Sequence, residues 1–222
     1  MKTKQKYFCL CRPRRFGKSV TAQMLCSYYS RGEDSSSQFD SLKIAKSTSY
    51  KKHLNQCNVI FINMSLEFNS ARHDVNQMIS SVTSSIVKEL KEAYPQVVFN
   101  SPDKLYEALD DVFSVSKVPF VFIVDEWDRI MREKKEDAQS LKLYLEWLEG
   151  IFKDQSYIAL AYMTGILPIK KYGNQSALNM FTEYSMTEPL NLGQSIGFTE
   201  NEVRNICKQH DVAFNQMQQW YD

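Results

Sequence analysis

Tyr7-Phe8-Cys9-Leu10-Cys11-Arg12-Pro13-Arg14-Arg15-Phe16-Gly17-Lys18-Ser19-Val20 is the stretch on which the reading of this chain turns. Tyr7 to Cys11 has the apolar run of a short buried strand. From Lys18 to Tyr29, Val20, Met24, Leu25 and Tyr28 recur at helical spacing and predict a helix. Arg12 to Ser19 lies between the two, the place a G-x-x-x-x-G-K-[ST] loop occupies. Polyphosphate needs inward N–H donors, a helix N-terminus, a lysine for the terminal phosphates and a hydroxyl for Mg²⁺. Gly17 lets the backbone approach closely, Lys18 supplies the charge and Ser19 the metal ligand. The motif's first glycine is Arg12 here, and Pro13 biases Arg12 toward an extended conformation that finishes the strand. The candidate phosphate-binding residues are therefore Arg12, Pro13, Arg14, Arg15, Phe16, Gly17, Lys18, Ser19 and Val20. The bland alternative for the three arginines is a solvated basic turn or a nucleic-acid patch.

Outward from this loop, strands and helices alternate. Gly32 and Ser35-Ser36-Ser37 mark a loop, and Val59 to Met64 reads as a second buried strand. Val75, Ile79, Val82, Ile86 and Leu90 form a helical stripe ending near Pro95. Ser101-Pro102-Asp103 opens a further helix, with proline in its first turn, that presents Leu105, Leu109, Val112 and Phe113. Val118 to Val124 is a third strand, Asp137 to Phe152 a charged amphipathic helix, and Tyr157 to Met163 a fourth strand. Continuous apolar strands separated by helices imply a parallel sheet covered on both faces. Right-handed crossovers then align the strand C-termini along one ligand-binding edge.

At that edge Val121-Phe122-Ile123-Val124-Asp125-Glu126 ends in two carboxylates. An Asp there can hold Mg²⁺, and an adjacent Glu can orient or deprotonate an attacking water. Taken alone, the pair would be a solvated strand end; with the basic loop, each motif makes the other less accidental. Trp127 reads as packing and Asp128 as a cap for the next turn. Thr164, at the end of the fourth strand, would put a hydroxyl into the gap between loop and acidic strand. Glu126 and Thr164 are thus the catalytic candidates, and Ser19 and Asp125 the metal candidates.

Composition excludes little beyond extremes. The 222 residues carry a net charge of +1, which gives no global reason to expect nucleic acid or a membrane. Five cysteines without a C-x-x-C pair fit a reducing, cytoplasmic setting, and three separated histidines suggest no metal cluster. No apolar stretch is long enough to cross a bilayer.

With these residues in place, the chain resembles the bacterial AAA-ATPase-like family, a branch of the additional-strand P-loop ATPases. The family's R-P-R-R-F-G-K-[ST] loop is similar to Arg12–Ser19, and its apolar-D-E-[YW]-D block to Ile123–Asp128. Its T-G-I-x-x-I-x-K element is similar to Thr164–Lys171, with Pro168 where many relatives carry a polar or basic residue, followed by Ser176-Ala177-Leu178-Asn179. Gly197–Val203 resembles G-F-T-x-x-E-V, and Thr199 with Glu202 reads as a capping box in any family.

The resemblance implies an α/β, three-layer P-loop NTPase fold with a parallel central sheet of additional-strand (AAA/STAND-like) type. Tyr157 to Thr164 would lie between the phosphate-loop strand and the acidic strand, and a strand near Phe181 to Met186 would close the far edge. Residues 1–190 would form the ATPase core and 191–222 the start of a helical lid. Relatives usually carry an upstream D-K-T-like segment and often a downstream nuclease-like domain. Neither is visible, so the chain reads as part of a longer protein with weak turnover of its own. ATP and Mg²⁺ are the implied ligands, and hydrolysis would drive a conformational change. A homo-oligomer is one implied assembly, and nucleic acid is an implied partner only through the missing domain. One rival is a nucleotide-dependent switch with little turnover, against which Glu126 argues. The other is a nucleic-acid module using Arg12, Arg14, Arg15 and Lys170-Lys171, disfavoured by the near-neutral charge. There is no N-K-x-D guanine-reading signature.

Overall fold

The computed structural model describes residues 5–169, 177–186 and 197–219. Its centre is a parallel five-stranded sheet of β1 (Tyr7–Cys11), β2 (Asn58–Asn63), β3 (Phe120–Asp125), β4 (Ile158–Gly165) and β5 (Thr182–Tyr184). The strands lie in the order β2-β3-β4-β1-β5, every pairing parallel. β4 therefore separates the strand before the loop from the acidic strand, as the resemblance implied, and β5 lies beyond β1. This is the architecture of a P-loop NTPase-like fold.

Every residue of β3 is buried, which is why its sequence is apolar without alternation. Phe120, Phe122 and Val124 join the larger core on one face. That core is built with α5 (Val75–Ala93), α6 (Leu105–Ser116) and α8 (Ala138–Phe152). Val121 and Ile123 face the smaller core, which includes Ala22 of α1 (Lys18–Tyr29). Aromatic rings set edge to face, Phe122 on Phe152 and Phe152 on Phe181, carry the larger core across to the chain after β4.

α1 has the boundaries the sequence predicts, and Leu25 and Tyr28 of the predicted stripe pack inward while Val20 and Met24 do not. Val20 and Met24 are 62% and 45% exposed, whereas Ala22, Leu25, Cys26 and Tyr29 pack toward the sheet. That set has its own helical spacing, hidden in the sequence because alanine and cysteine weigh little as hydrophobes. Three further boundaries move. Met64 leaves β2 and opens α4 (Met64–Ser70) because the Asn63 side chain accepts the Leu66 N–H at 3.1 Å and caps the helix. Pro102 lies in a turn, and α6 begins three residues later at Leu105. The serine run is not loop throughout: Ser36–Phe39 forms α2, followed by a 3₁₀ turn at Lys43–Lys46 and α3 (Tyr50–His53). These short pieces hold because Phe39 and Tyr50 pack on Tyr28.

The end of the described chain holds α9 (Glu200–Gln209) and α10 (Phe214–Gln219). Both reciprocal bonds of the Thr199–Glu202 capping box are present. Lys170, Lys171, Ser176 and the expected boundary at residues 190 and 191 lie outside the described residues. Among the described residues no helix is long and apolar enough to cross a membrane.

β4 ends at Gly165 because the space above it is filled. A Cβ built there would stand 2.7 Å from Trp127 Nε1, 2.9 Å from its Cδ1 and 3.1 Å from Asp128 Oδ1. Trp127 is fully buried and cannot swing away, so the sequence reading of Trp127 as packing acquires a partner. Gly165→Ala is expected to destabilise the fold by about 1–3 kcal/mol through overpacking. Chemical denaturation checks this, and an unchanged midpoint would mean that the turn relaxes freely.

Candidate functional site

The loop between β1 and α1 is curled by two left-handed residues, Arg15 at φ 71° and Gly17 at φ 72°. Gly17 is the N-cap of α1, and no side chain caps the helix. The first-turn N–H groups of Lys18, Ser19 and Val20 thus lack the internal acceptors that later turns have. Helix ends of this kind offer donors and positive potential to an anion. Arg14, Arg15, Ser19 and Val20 are exposed around this end, and Phe16 is half-buried.

Lys18 turns inward. Its ammonium donates to the carbonyls of Arg12 at 2.9 Å and Pro13 at 2.7 Å, and the residue is buried. Desolvation lowers its pKa from the usual lysine value, while the charges of Asp125, Asp128 and Glu126 pull the other way. A desolvated cation held on weak neutral acceptors can take a phosphate oxygen in exchange.

Arg12 enters the site through its backbone and not through its guanidinium. The side chain is buried and donates from one terminal nitrogen to the carbonyls of Cys11 at 3.0 Å and Tyr184 at 2.8 Å. It ties β5 to the end of β1, which gives the residue a structural role beside its place in the candidate loop. The carbonyls there need a donor, and arginine reaches both.

Across β4, the acidic turn has an organised geometry. Asp125 is buried, and the Thr164 hydroxyl donates to its carboxylate. The same hydroxyl accepts the Glu126 N–H at 3.2 Å. Thr164 is therefore bonded within the acidic turn and does not project freely into the gap. Glu126 adopts φ 55°, a conformation that non-glycine residues seldom take and that concentrates at functional sites. Its side chain is 40% exposed, and one carboxylate oxygen is 3.6 Å from an Arg132 nitrogen. Asp128 occupies the N-cap position of α7 (Arg129–Glu133) but makes no capping bond. Its Oδ2 instead accepts the N–H groups of Ile166 at 3.1 Å and Leu167 at 3.0 Å, together with Arg132 Nε at 3.1 Å.

The fold thus gathers the basic loop, Asp125, Glu126 and Thr164 at one end of neighbouring strands. Arg132 is the member that sequence reading missed. Its signal was available as an acidic residue four positions ahead of an arginine on a short helix. Among the described residues no group of three or more His, Cys, Asp or Glu is placed to hold a metal. A Mg²⁺ held by Ser19 and Asp125 would complete its shell with substrate oxygens and water, the usual habit of this ion.

Arg12→Ala separates the structural from the ligand role of that residue. Two buried carbonyls lose their donor, so stability is expected to fall by about 1–3 kcal/mol, while nucleotide affinity measured below the melting transition stays within about twofold. Loss of affinity without loss of stability would return Arg12 to the phosphate contacts.

No curated protein matches the chain. The model of the AAA-ATPase-like family, described as a predicted AAA-ATPase, matches residues 1–174. That span contains the basic loop, the acidic turn and the end of β4. The parallel sheet with β4 between β1 and β3 is the fold such a match requires, and the chain belongs to the AAA-ATPase-like family.

Proposed function

We propose that the chain binds ATP and hydrolyses it with Mg²⁺ to drive a conformational change. The observation that carries this reading is the placement of Lys18, a buried ammonium held by two loop carbonyls, beside the acidic end of β3. The first-turn N–H groups of α1 and the Lys18 ammonium bind the phosphates. Ser19 and Asp125 would hold Mg²⁺, which neutralises phosphate oxygens when bound. Glu126 orients the attacking water and accepts its proton. Thr164 acts through its neighbours, fixing the Asp125 carboxylate and the Glu126 backbone. Arg14, Arg15 and Phe16 shape the mouth of the loop. A Cβ at Gly197 would meet the Phe16 ring at 3.4 Å, so the segment leading into α9 touches the loop that nucleotide would occupy. Residues 1–190 are the core in this reading, and 191–222 begin a lid that moves with it. A cytoplasmic setting and assembly with further copies of the chain belong to the same proposal.

Lys18→Ala is expected to remove detectable Mg-ATP binding by calorimetry with an unchanged far-UV spectrum. A charge-assisted contact is worth about 1.5–3 kcal/mol, or roughly ten- to hundredfold in affinity. Wild-type affinity in this variant would place the site elsewhere.

The two carboxylates are expected to fail differently when converted to amides. Glu126→Gln keeps ATP affinity and loses about 10²–10⁴ in single-turnover rate. Asp125→Asn loses Mg²⁺-dependent affinity as well. The readout is affinity with and without Mg²⁺, with turnover compared across the four nucleoside triphosphates. Full turnover by Glu126→Gln would exclude Glu126 as the base.

A further inference from the structure

We infer that Arg132 is a positioning residue for Glu126, set in place by Asp128. The inference rests on the reading of Glu126 as the group that orients water. Arg132 lies on α7, and its side chain is 17% exposed. Its guanidinium faces two carboxylates at once: Nε is hydrogen-bonded to Asp128 Oδ2 at 3.1 Å, and a terminal nitrogen stands 3.6 Å from Glu126 Oε2. The planar fork of arginine links these two directions rigidly, which a lysine cannot do.

The two ends of this bridge differ in freedom. Asp128 is fully buried, and Oδ2 also accepts the Ile166 and Leu167 N–H groups. It cannot move without breaking those bonds, so it anchors the guanidinium. Glu126 is the less enclosed end: its side chain is 40% exposed, and the Thr164 hydroxyl holds its backbone N–H rather than its carboxylate. The Arg132 nitrogen facing it is shielded from solvent and makes no hydrogen bond, a costly state for a charged donor. At 3.6 Å the contact is an ion pair and not yet a hydrogen bond. A closer approach of a few tenths of an ångström by the Glu126 carboxylate completes it. Arg132 therefore defines one preferred place for that carboxylate. The neighbouring cation, Arg129, pairs with Glu133 instead.

The same bridge gives the loop after β4 a hold on Glu126. Ile166 and Leu167 follow Gly165 directly and bind the carboxylate that orients Arg132. A shift in that loop alters where Glu126 points without touching it. Arg132 needs no contact with nucleotide to do this.

The test is single-turnover hydrolysis of radiolabelled ATP by the full chain in excess, followed over hours, with ATP affinity measured in parallel. Arg132→Gln is expected to slow hydrolysis about 10²-fold, the scale of a misplaced reacting group, with ATP affinity within twofold of the parent. Arg132→Lys keeps a cation beside Asp128 and tests the same point if the glutamine variant does not fold. It is expected to melt like the parent and still lose most of the rate. In a Glu126→Gln background, Arg132→Gln or Arg132→Lys should cause no further loss. Three outcomes overturn the inference: an unchanged rate in Arg132→Lys, affinity falling in step with rate, or losses that multiply in the double variant. Wild-type turnover by Glu126→Gln alone, or no hydrolysis by the unsubstituted chain above the uncatalysed rate, would instead remove the underlying reading of Glu126 and the inference with it.

Discussion

Asp128 is fully buried and accepts hydrogen bonds from two backbone N–H groups and one guanidinium. A carboxylate buried without such donors would cost several kcal/mol, and here three donors come from two separate parts of the chain. Ile166 and Leu167 are drawn from the end of β4, and Arg132 from α7. The acidic turn after β3 and the turn after β4 are thereby closed on one another. Gly165 must be glycine because Trp127 and Asp128 already fill the space above it. Thr164 is carried to within bonding distance of Asp125 by the register of β4 against β3, in which Val124 faces Met163. The arrangement of Asp125 and Glu126 is a consequence of this closure.

The sheet explains why polar groups collect there. Its central strands are covered on both faces, so a charged residue in the middle of β3 would have neither water nor a partner. Asp125 and Glu126 stand where the strand stops, next to a helix N-terminus with unpaired donors and a buried ammonium. The basic loop lacks the first glycine of the general motif, and Arg12 in its place serves the sheet. Its guanidinium secures β5, while its carbonyl holds Lys18. One residue thus joins the edge of the sheet to the resting position of the lysine.

The main elements were legible because their hydrophobic patterns are continuous. β1 is apolar throughout and β3 and β4 are apolar up to their C-terminal ends, the α5 stripe repeats at helical spacing, and Thr199 with Glu202 marks a helix start by local hydrogen bonding alone. The inward face of α1 was read only in part, through Leu25 and Tyr28, because Ala22 and Cys26 pack well without looking hydrophobic. The short helices between α1 and β2 were missed because Phe39 and Tyr50 gain their stability from Tyr28, a contact no local pattern records. Lys18, Asp125 and Glu126 could be nominated from residue type and from their places at element ends.

What the sequence determined by itself is the set of chemical groups at the strand ends: a lysine and a hydroxyl after β1, one carboxylate ending β3 with a second just after it, and a hydroxyl near the end of β4. Local backbone preference and hydrophobic periodicity suffice for that, since both act within a few residues. Only the tertiary structure decided which groups meet. Thr164 binds Asp125, Arg12 turns to Tyr184, and Arg132 stands between Asp128 and Glu126, because sheet order and strand register bring distant segments within hydrogen-bond range. Those bonds act over about 3 Å, and residues far apart in the chain reach that distance only after the core has packed.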